Sequence, residues 1–551
     1  MLRDKNLCYI YHRSKLIFIE VYMTSAQEIE RRRTFAIISH PDAGKTTLTE
    51  KLLLYSGLLH TAGVVRARKG RKSAVSDWMS MEQERGISIT ASAMQFPYKG
   101  AIVNVLDTPG HADFSVDTYR TLTAADCAIM VIDAAKGVEK QTRKLFEACR
   151  LRKIPVLTLI NKMDMPARMP LDLMDEVEKV LGIQASPLNW PIGTGSGFCG
   201  VYDVRQQKVL RFSKQATGGA LKAEVHAYEL NDPVWRGTLQ QNDIEQLTDD
   251  LELLGAAGNP FSRETFLQGN VTPVFFASAL TNFGVEPFFD AFIELAPMPR
   301  AYPADTWQKK EEIAVDPIKT PFSGYVFKLQ ANMDRRHRDS MAFIRICSGK
   351  FEKDMVVRHH RLQREVRLSR PHGMVAGERT TVDEAYAGDI LGVINPGVFT
   401  IGDTISLSGG FDYKPLPQFQ PEIFARLQPK DIGKRKSFDK GVQHLADEGA
   451  VQLLYPKGEG TGVIFAVVGQ LQFEVMQYRL RDEYGVETLL TPLPYKCSAW
   501  LQGSIETFQK TTGSLLAEDR MRRPIVLFPD IWDREYTEKQ NPQHQLVDMI
   551  A

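Results

Sequence analysis

Over the first 300 residues, short continuous apolar runs alternate with segments whose apolar residues recur at helical spacing. The runs are Thr34-Phe35-Ala36-Ile37-Ile38, Ala101-Ile102-Val103-Asn104-Val105-Leu106, Ala128-Ile129-Met130-Val131-Ile132, Pro155-Val156-Leu157-Thr158-Leu159-Ile160 and Val274-Phe275-Phe276-Ala277. Each has the length and β-branched content of a buried strand. Helical spacing marks residues 46–56, with Leu48, Leu52 and Leu53 on one face, and residues 141–151, 171–181 and 284–295. A shorter charged helix is predicted over 28–33. Apolar strands alternating with helices specify a parallel sheet covered on both faces. Ligands of such sheets bind at the carboxyl ends of the strands.

The pattern breaks in two places. More than a hundred residues separate Asp164 from Ser278, too many for a loop in a compact domain. The stretch from Asn189 to Tyr202 is rich in Gly, Trp and Tyr, so an inserted subdomain is expected over about 184–270. Its glycines, Gly193, Gly195, Gly197 and Gly200, lack a following Lys-Thr pair and read as hairpin glycines. After the proline-rich Pro297-Met298-Pro299-Arg300 the pattern becomes all-β, with runs at 324–329, 341–348, 355–358, 389–395 and 403–407 between turn glycines Gly349, Gly388 and Gly402. Strands at this spacing predict a small barrel. Beyond a second proline-rich stretch at 415–421, helices over 434–448 and 471–484 flank a strand at 462–468, an α+β module of the split βαβ, ferredoxin-like kind.

The expected architecture is therefore multidomain. A disordered extension is expected over 1–22; an α/β domain carrying the inserted subdomain covers 23–300; a β-barrel covers 301–415; an α+β domain covers 416–551. A length of 551 residues agrees with three or four domains. In the first 22 residues charges interrupt the apolar Leu16-Ile17-Phe18-Ile19, which argues against a secretory signal; a misassigned start upstream of Met23 is the alternative reading.

Composition narrows the setting. Charged residues are 25% and the net charge is +1, so no global basic field announces a nucleic-acid partner. The six cysteines are scattered, without a C-x-x-C pair, which disfavours a zinc site or a disulfide framework and fits a cytoplasmic location. No apolar run approaches the ~18–20 residues of a membrane helix.

Candidate chemistry lies just after the predicted strands. Asp42-Ala43-Gly44-Lys45-Thr46 offers close backbone approach at Gly44, a cation at Lys45 and a magnesium-binding hydroxyl at Thr46, as a phosphate loop needs. Ser39 stands where the usual first glycine would be. Asp107-Thr108-Pro109-Gly110 supplies a carboxylate for magnesium through water and an amide for the γ-phosphate. Asn161-Lys162-Met163-Asp164 is the most specific segment. The Asp164 carboxylate can accept both N1–H and N2–H of guanine, donors adenine lacks there. Asn161 ties the loop and can reach N7, and Lys162 covers the base. Ser278-Ala279-Leu280 would complete the pocket, with the Ala279 amide on O6. Each segment alone has an ordinary reading as a turn or a helix cap. Their order and their common sheet edge carry the assignment.

With His111 following Asp-Thr-Pro-Gly, and with Asp77-Trp78-Met79 and Glu84-Arg85-Gly86-Ile87-Ser88-Ile89-Thr90, the chain resembles the translational GTPases, elongation factor G and its relatives. Ala387-Gly388-Asp389-Ile390 with Gly402-Asp403-Thr404 looks like their second-domain barrel. Gly469-Gln470-Leu471-Gln472-Phe473-Glu474 looks like a signature of their third domain. The resemblance implies that Ser39, His40, Pro41, Asp42, Ala43, Gly44, Lys45, Thr46 and Thr47 hold the phosphates of GTP or GDP. Thr46, Ser88 and, through water, Asp107 would hold Mg2+. His111 would orient the attacking water, with either the ring or the γ-phosphate taking the proton, and Pro41 and Ile87 match the hydrophobic gate. The short length and the segments 39–47 and 85–90 most resemble members acting in termination. These imply a monomeric, cytoplasmic, ribosome-dependent GTPase that recycles class I peptide chain release factors after peptide release. An elongation factor G-like translocase or a ribosomal protection factor is the alternative, and elongation factor G carries two further domains.

Overall fold

The computed structural model describes residues 7–12, 15–20, 23–59, 92–213, 220–239, 241–331, 340–369, 371–375, 378–457 and 462–550. The strands of the first module form a seven-stranded sheet ordered Ser92–Tyr98, Ala101–Asp107, Arg32–Ser39, Cys127–Asp133, Val156–Asn161, Val271–Phe276 and Gln184–Pro187. All neighbours are parallel except Ser92–Tyr98, which returns antiparallel to Ala101–Asp107. Lys99 (φ 44°) and Gly100 (φ 85°) close that hairpin with the two left-handed residues of a tight primed turn.

The alternation of a strand buried on both faces is visible residue by residue. Phe35 and Ile37 enter one core with Leu48, Leu52, Val103 and Phe288. Ala36 and Ile38 enter the other with Leu122, Met130, Ile132 and Leu145. The carboxyl ends of the central strands then place Ser39, Asp107, Asp133 and Asn161 on one edge.

Several boundaries differ from the expectation for local reasons. The first helix is Ser25–Glu30, not 28–33, because Thr24 and Gln27 form a reciprocal capping box that starts it early. Within the first 22 residues the backbone of Leu7–His12 and Lys15–Glu20 pairs as an antiparallel hairpin; their Ile, Tyr and Phe content favours strand pairing. Gln184–Pro187 joins the main sheet beside Val271–Phe276. The separate four-stranded sheet of the insertion therefore begins at Asn189–Ile192 and continues through Gly200–Asp203, Lys208–Phe212 and Val225–Glu229. Gly193 (φ 73°) and Gly195 (φ 59°) lie in its first connection. The α-helix Gln241–Ala257 leads back to the main sheet.

The second module is an eight-stranded antiparallel β-structure built around Ser323–Ala331 and Ser340–Ser348, with a three-stranded sheet beside it. The third contains a βαββαβ unit, Ile423–Pro429 to Thr488–Pro492, with helices Arg435–Asp447 and Gln470–Tyr484. Its strand order, last-first-third-second, is the ferredoxin-like one. Beyond the sequence reading, four further strands between Cys497 and Val547 extend the same sheet, with helix Ile531–Gln540 alongside.

Ion pairs lock the second module to the first. Arg345 Nη2 lies 2.5 Å from Asp126 Oδ2, both side chains fully buried. Arg32 Nε meets Asp389 Oδ2 at 2.8 Å. The Gly388 carbonyl accepts from Thr34 Oγ1 at 2.6 Å. Gly388 has φ 107°, and an added Cβ would sit 2.7 Å from Pro299 and 3.0 Å from Arg32, so the close approach needs glycine.

Candidate functional site

The loop between Arg32–Ser39 and helix Lys45–Tyr55 has the features of an anion cradle. Asp42 (φ 68°) and Gly44 (φ 99°) take left-handed conformations, and Gly44 is the N-cap without any side-chain cap. Among the described residues the first-turn amides of this 11-residue helix thus have no side-chain cap, with the positive end of the dipole among them. A Cβ at Gly44 would lie 2.3 Å from Asn161 Nδ2, so side chains are excluded by space as well as by φ. Lys45 is buried, and its Nζ lies 2.5 Å from Asp107 Oδ1. Asp107 Oδ2 is buried with no hydrogen-bond partner among the described residues. Thr46 is half-buried at the start of the helix.

Around the cradle, Thr108 Oγ1 donates to Ile37 O (2.7 Å) and Thr118 Oγ1 to Pro109 O (3.2 Å), fixing the Asp107–Gly110 turn. Gly110 lies against Pro41, whose backbone would be 3.6 Å from an added Cβ. His40 Nε2 is 3.2 Å from Glu139 Oε2, bracing the phosphate loop against the N-cap of helix Lys140–Leu151.

Asn161 acts as a strut. Its Nδ2 donates to Ala43 O (2.8 Å), and its Oδ1 accepts from Ala279 N (2.8 Å). One side chain therefore spaces the phosphate loop from the Ser278-Ala279-Leu280 turn. The Ala279 amide, expected on guanine O6, is engaged by Asn161 here because Val271–Phe276 runs alongside Val156–Asn161 and brings the two strand ends together. Ser278 Oγ accepts from Thr281 N (3.1 Å), and Leu280 is exposed. Lys162 (φ 70°) reaches Asp133 Oδ2 at 2.8 Å. Burial by itself would raise the Asp133 pKa, but the Lys162 contact and backbone N–H donors outweigh it and hold the carboxyl below its ordinary value. Asp164 is half-buried, with Oδ1 buried and unpartnered among the described residues.

His111 is 39% exposed, with Nδ1 3.2 Å from Asp113 Oδ1. Ser88 lies outside the described residues, as do Asp77, Trp78, Met79 and residues 84–90, Ile87 included. The other expected site residues converge on one edge. Sequence reading missed Asp133, Glu139 and Asp113. The first two brace residues already singled out, and nothing local distinguishes them from polar surface. Asp113, two positions after His111, carries the one available signal. Chemically, the site pairs a cation and bare amides at one end with a carboxylate at the other. The donor set fits a guanine nucleotide: the unpartnered Asp107 Oδ2 could take a cation beside the phosphates, and the unpartnered Asp164 Oδ1 an N–H donor of the base.

Comparison with known proteins agrees with this geometry. Residues 30–298 match the elongation factor Tu GTP binding domain, 321–408 elongation factor G domain 2, and 413–538 the C-terminal domain of class II release factor RF3. Proteins named peptide chain release factor 3 are similar over nearly the whole chain. The one from Cyanothece sp. is 51% identical over 94% of this chain and 95% of its own. That from Synechocystis sp. is 52% identical over 92% and 93%, and that from Gloeobacter violaceus 52% over 95% and 98%. A solved structure from Thermus thermophilus shares the fold at TM-score 0.66 and 22% identity, covering 89% of this chain and 72% of that one.

Proposed function

The chain belongs to the peptide chain release factor 3 family of translational GTPases, and on that footing we propose that it hydrolyses GTP on the ribosome and thereby promotes departure of class I peptide chain release factors after peptide release. Guanine-nucleotide binding and a place in translation termination come with the family. The translocase or protection-factor alternative is not favoured, since residues 413–538 match the release-factor domain.

The observation carrying the hydrolytic reading is the meeting, at one sheet edge, of the Gly44–Lys45 cradle, Asp107 and the Asn161–Asp164 segment, spaced by Asn161 itself. In this reading Lys45 leaves Asp107 for the β- and γ-phosphates, and the amides before helix Lys45–Tyr55 hold the phosphate oxygens. Asp164 accepts both guanine donors, and the stem of Lys162, held by Asp133, covers the base. Thr46, Ser88 and, through water, Asp107 would hold Mg2+, which neutralises phosphate charge. His111 orients water towards the γ-phosphate. Because its relatives are translation factors, we place the protein in the cytoplasm, acting as a monomer.

The test is GTP turnover by the full chain alone, with ribosomes, and with ribosomes carrying a termination complex. Turnover should be slow alone and rise sharply with ribosomes. His111→Ala should keep GTP affinity and lose the stimulated rate. Full turnover without ribosomes, or an unaffected His111→Ala, contradicts the proposal. Displacement of a labelled class I factor from the termination complex checks the recycling step.

A further inference from the structure

The short helical turn Ala112–Phe114 that follows His111 is docked on the third module. Phe114 packs with Leu471 and Val475 of helix Gln470–Tyr484 in a small buried cluster. Asp113 Oδ2 accepts from Leu471 N at 2.7 Å, so a side chain of the first module closes the N-terminus of a helix more than 350 positions away. Gly469, the N-cap of that helix, has no side chain of its own to do this. A Cβ there would lie 2.0 Å from Asp113 Cγ. The backbone at Gly469 (φ −139°, ψ 156°) suits any residue, so among these contacts it is the Asp113 carboxylate that excludes a side chain. Nearby, Arg120 Nη1 donates to Glu448 O at 3.1 Å, a second attachment between the same modules.

The other oxygen of this carboxylate serves His111. Nδ1 is 3.2 Å from Asp113 Oδ1 and 3.3 Å from the Asp113 amide nitrogen. The two contacts ask for opposite tautomers. A protonated Nδ1 donates to the carboxylate and leaves the Nε2 lone pair as an acceptor; a bare Nδ1 accepts from the amide and leaves Nε2–H as a donor. The partner of one ring nitrogen thus sets the chemistry of the other.

We propose that Asp113 is a positioning residue for His111, held in place by the third module: one oxygen orients the ring with Nε2 as an acceptor for water, while the other is fixed by the amide of Leu471. The inference rests on the role given to His111 above. It makes the third module part of the hydrolytic site without touching nucleotide. Movement of helix Gln470–Tyr484 away from the first module withdraws the Leu471 N–H and the Phe114 contact together, and the imidazole loses its fixed carboxylate. The carboxylate is needed because both of its oxygens accept. An amide offers one acceptor and one donor, so Asp113→Asn can accept from Leu471 N–H only by turning its NH2 to His111, which selects the bare Nδ1 and leaves Nε2–H as a donor instead of an acceptor for water.

The experiment uses the full-length chain with ribosomes. Asp113→Asn, Asp113→Glu, Gly469→Ala and His111→Ala are compared for stimulated kcat, KM for ribosomes and Kd for a fluorescent GTP analogue. Asp113→Asn and Gly469→Ala should each lower kcat by roughly 10- to 100-fold, with Kd and KM unchanged, since misplacing a reacting group by about 1 Å has effects of that size. Asp113→Glu should recover part of the loss. The double variant Asp113→Asn/Gly469→Ala should be no worse than the poorer single, because both act on one contact. Wild-type kcat in Asp113→Asn or Gly469→Ala while His111→Ala is inactive would overturn the link to the third module. A fall in kcat matched by an equal loss of nucleotide affinity would overturn it as well. Full turnover by His111→Ala would instead bring down the underlying reading of the histidine, and this inference with it.

Discussion

Replacing Arg345 by Met removes the cation from an ion pair that has no access to water. Arg345 Nη2 and Asp126 Oδ2 are 2.5 Å apart, with 0% exposure on both sides. In the wild type, burial disfavours the charged guanidinium, yet Asp126 outweighs it and raises the Arg345 pKa. Without the arginine, Asp126 keeps the Arg300 N–H at 3.2 Å but no countercharge from this partner. Removing one member of a buried pair destabilises by about 3–5 kcal/mol. The Gly388 carbonyl, which also receives Arg345, adds little, since Thr34 Oγ1 still donates to it. At ~2–4 °C per kcal/mol for a large domain, the thermal midpoint should fall by roughly 6–20 °C. Arg345→Met/Asp126→Asn should recover more than half of this, because an uncharged pair of similar volume avoids the desolvation penalty. Thermal denaturation followed by circular dichroism on the three proteins is the assay. A single variant melting within about 2 °C of the parent, or a double variant no better than the single, would refute the reasoning.

Two further outcomes follow from the same kind of accounting. Asp164→Ala should weaken GTP binding by roughly 10²- to 10⁴-fold, the loss of two hydrogen bonds to a charged acceptor at about 1.5–3 kcal/mol each; a titration in which the GTP-over-ATP preference survives would count against the guanine assignment. Burial would raise the Asp403 pKa, but the His359 ring nitrogen 3.0 Å away and hydrogen bonds from Arg361 and the Thr400 amide outweigh it and hold the carboxyl at about 2. Since the folded value lies below the unfolded one, this group stabilises the fold above about pH 4, and its contribution is lost as pH falls from about 4 to about 2. Asp403→Asn should therefore cost about 2 kcal/mol at pH 7, with the difference from wild type vanishing in acid; a pH-independent difference in denaturation midpoint would rule this out.

Legibility in the sequence followed the range of the interactions. The central strands and their helices were visible because each is buried on both faces and reads as a local apolar run, as Phe35 to Ile38 do. The edge strands Ser92–Tyr98 and Gln184–Pro187 escaped: their short mixed patterns become strands only by pairing with neighbours already in place. The Cys497–Val547 strands were missed for a similar reason, since each is short and gains its burial from the sheet it joins. In the proposed site, Gly44, Lys45, Asp107, Asn161 and Asp164 could be singled out from the sequence because nucleotide chemistry demands those residue types in that order. The supports, Asp133, Glu139 and Asp113, were not, since a carboxylate in a turn looks alike whether it faces water or a cation.

What the chain determined by itself was the identity of its elements and of the groups proposed to meet guanine and phosphate, because helix and strand periods and side-chain functional groups are properties of neighbouring residues. Tertiary structure alone decided which of those groups act on each other. It alone brings the Ala43 carbonyl to Asn161, Asp126 to Arg345 across two modules, and Asp113 to both His111 and the start of a distant helix. A hydrogen bond or ion pair depends on separations of about 3 Å, and such separations between residues hundreds of positions apart are set by how the modules pack.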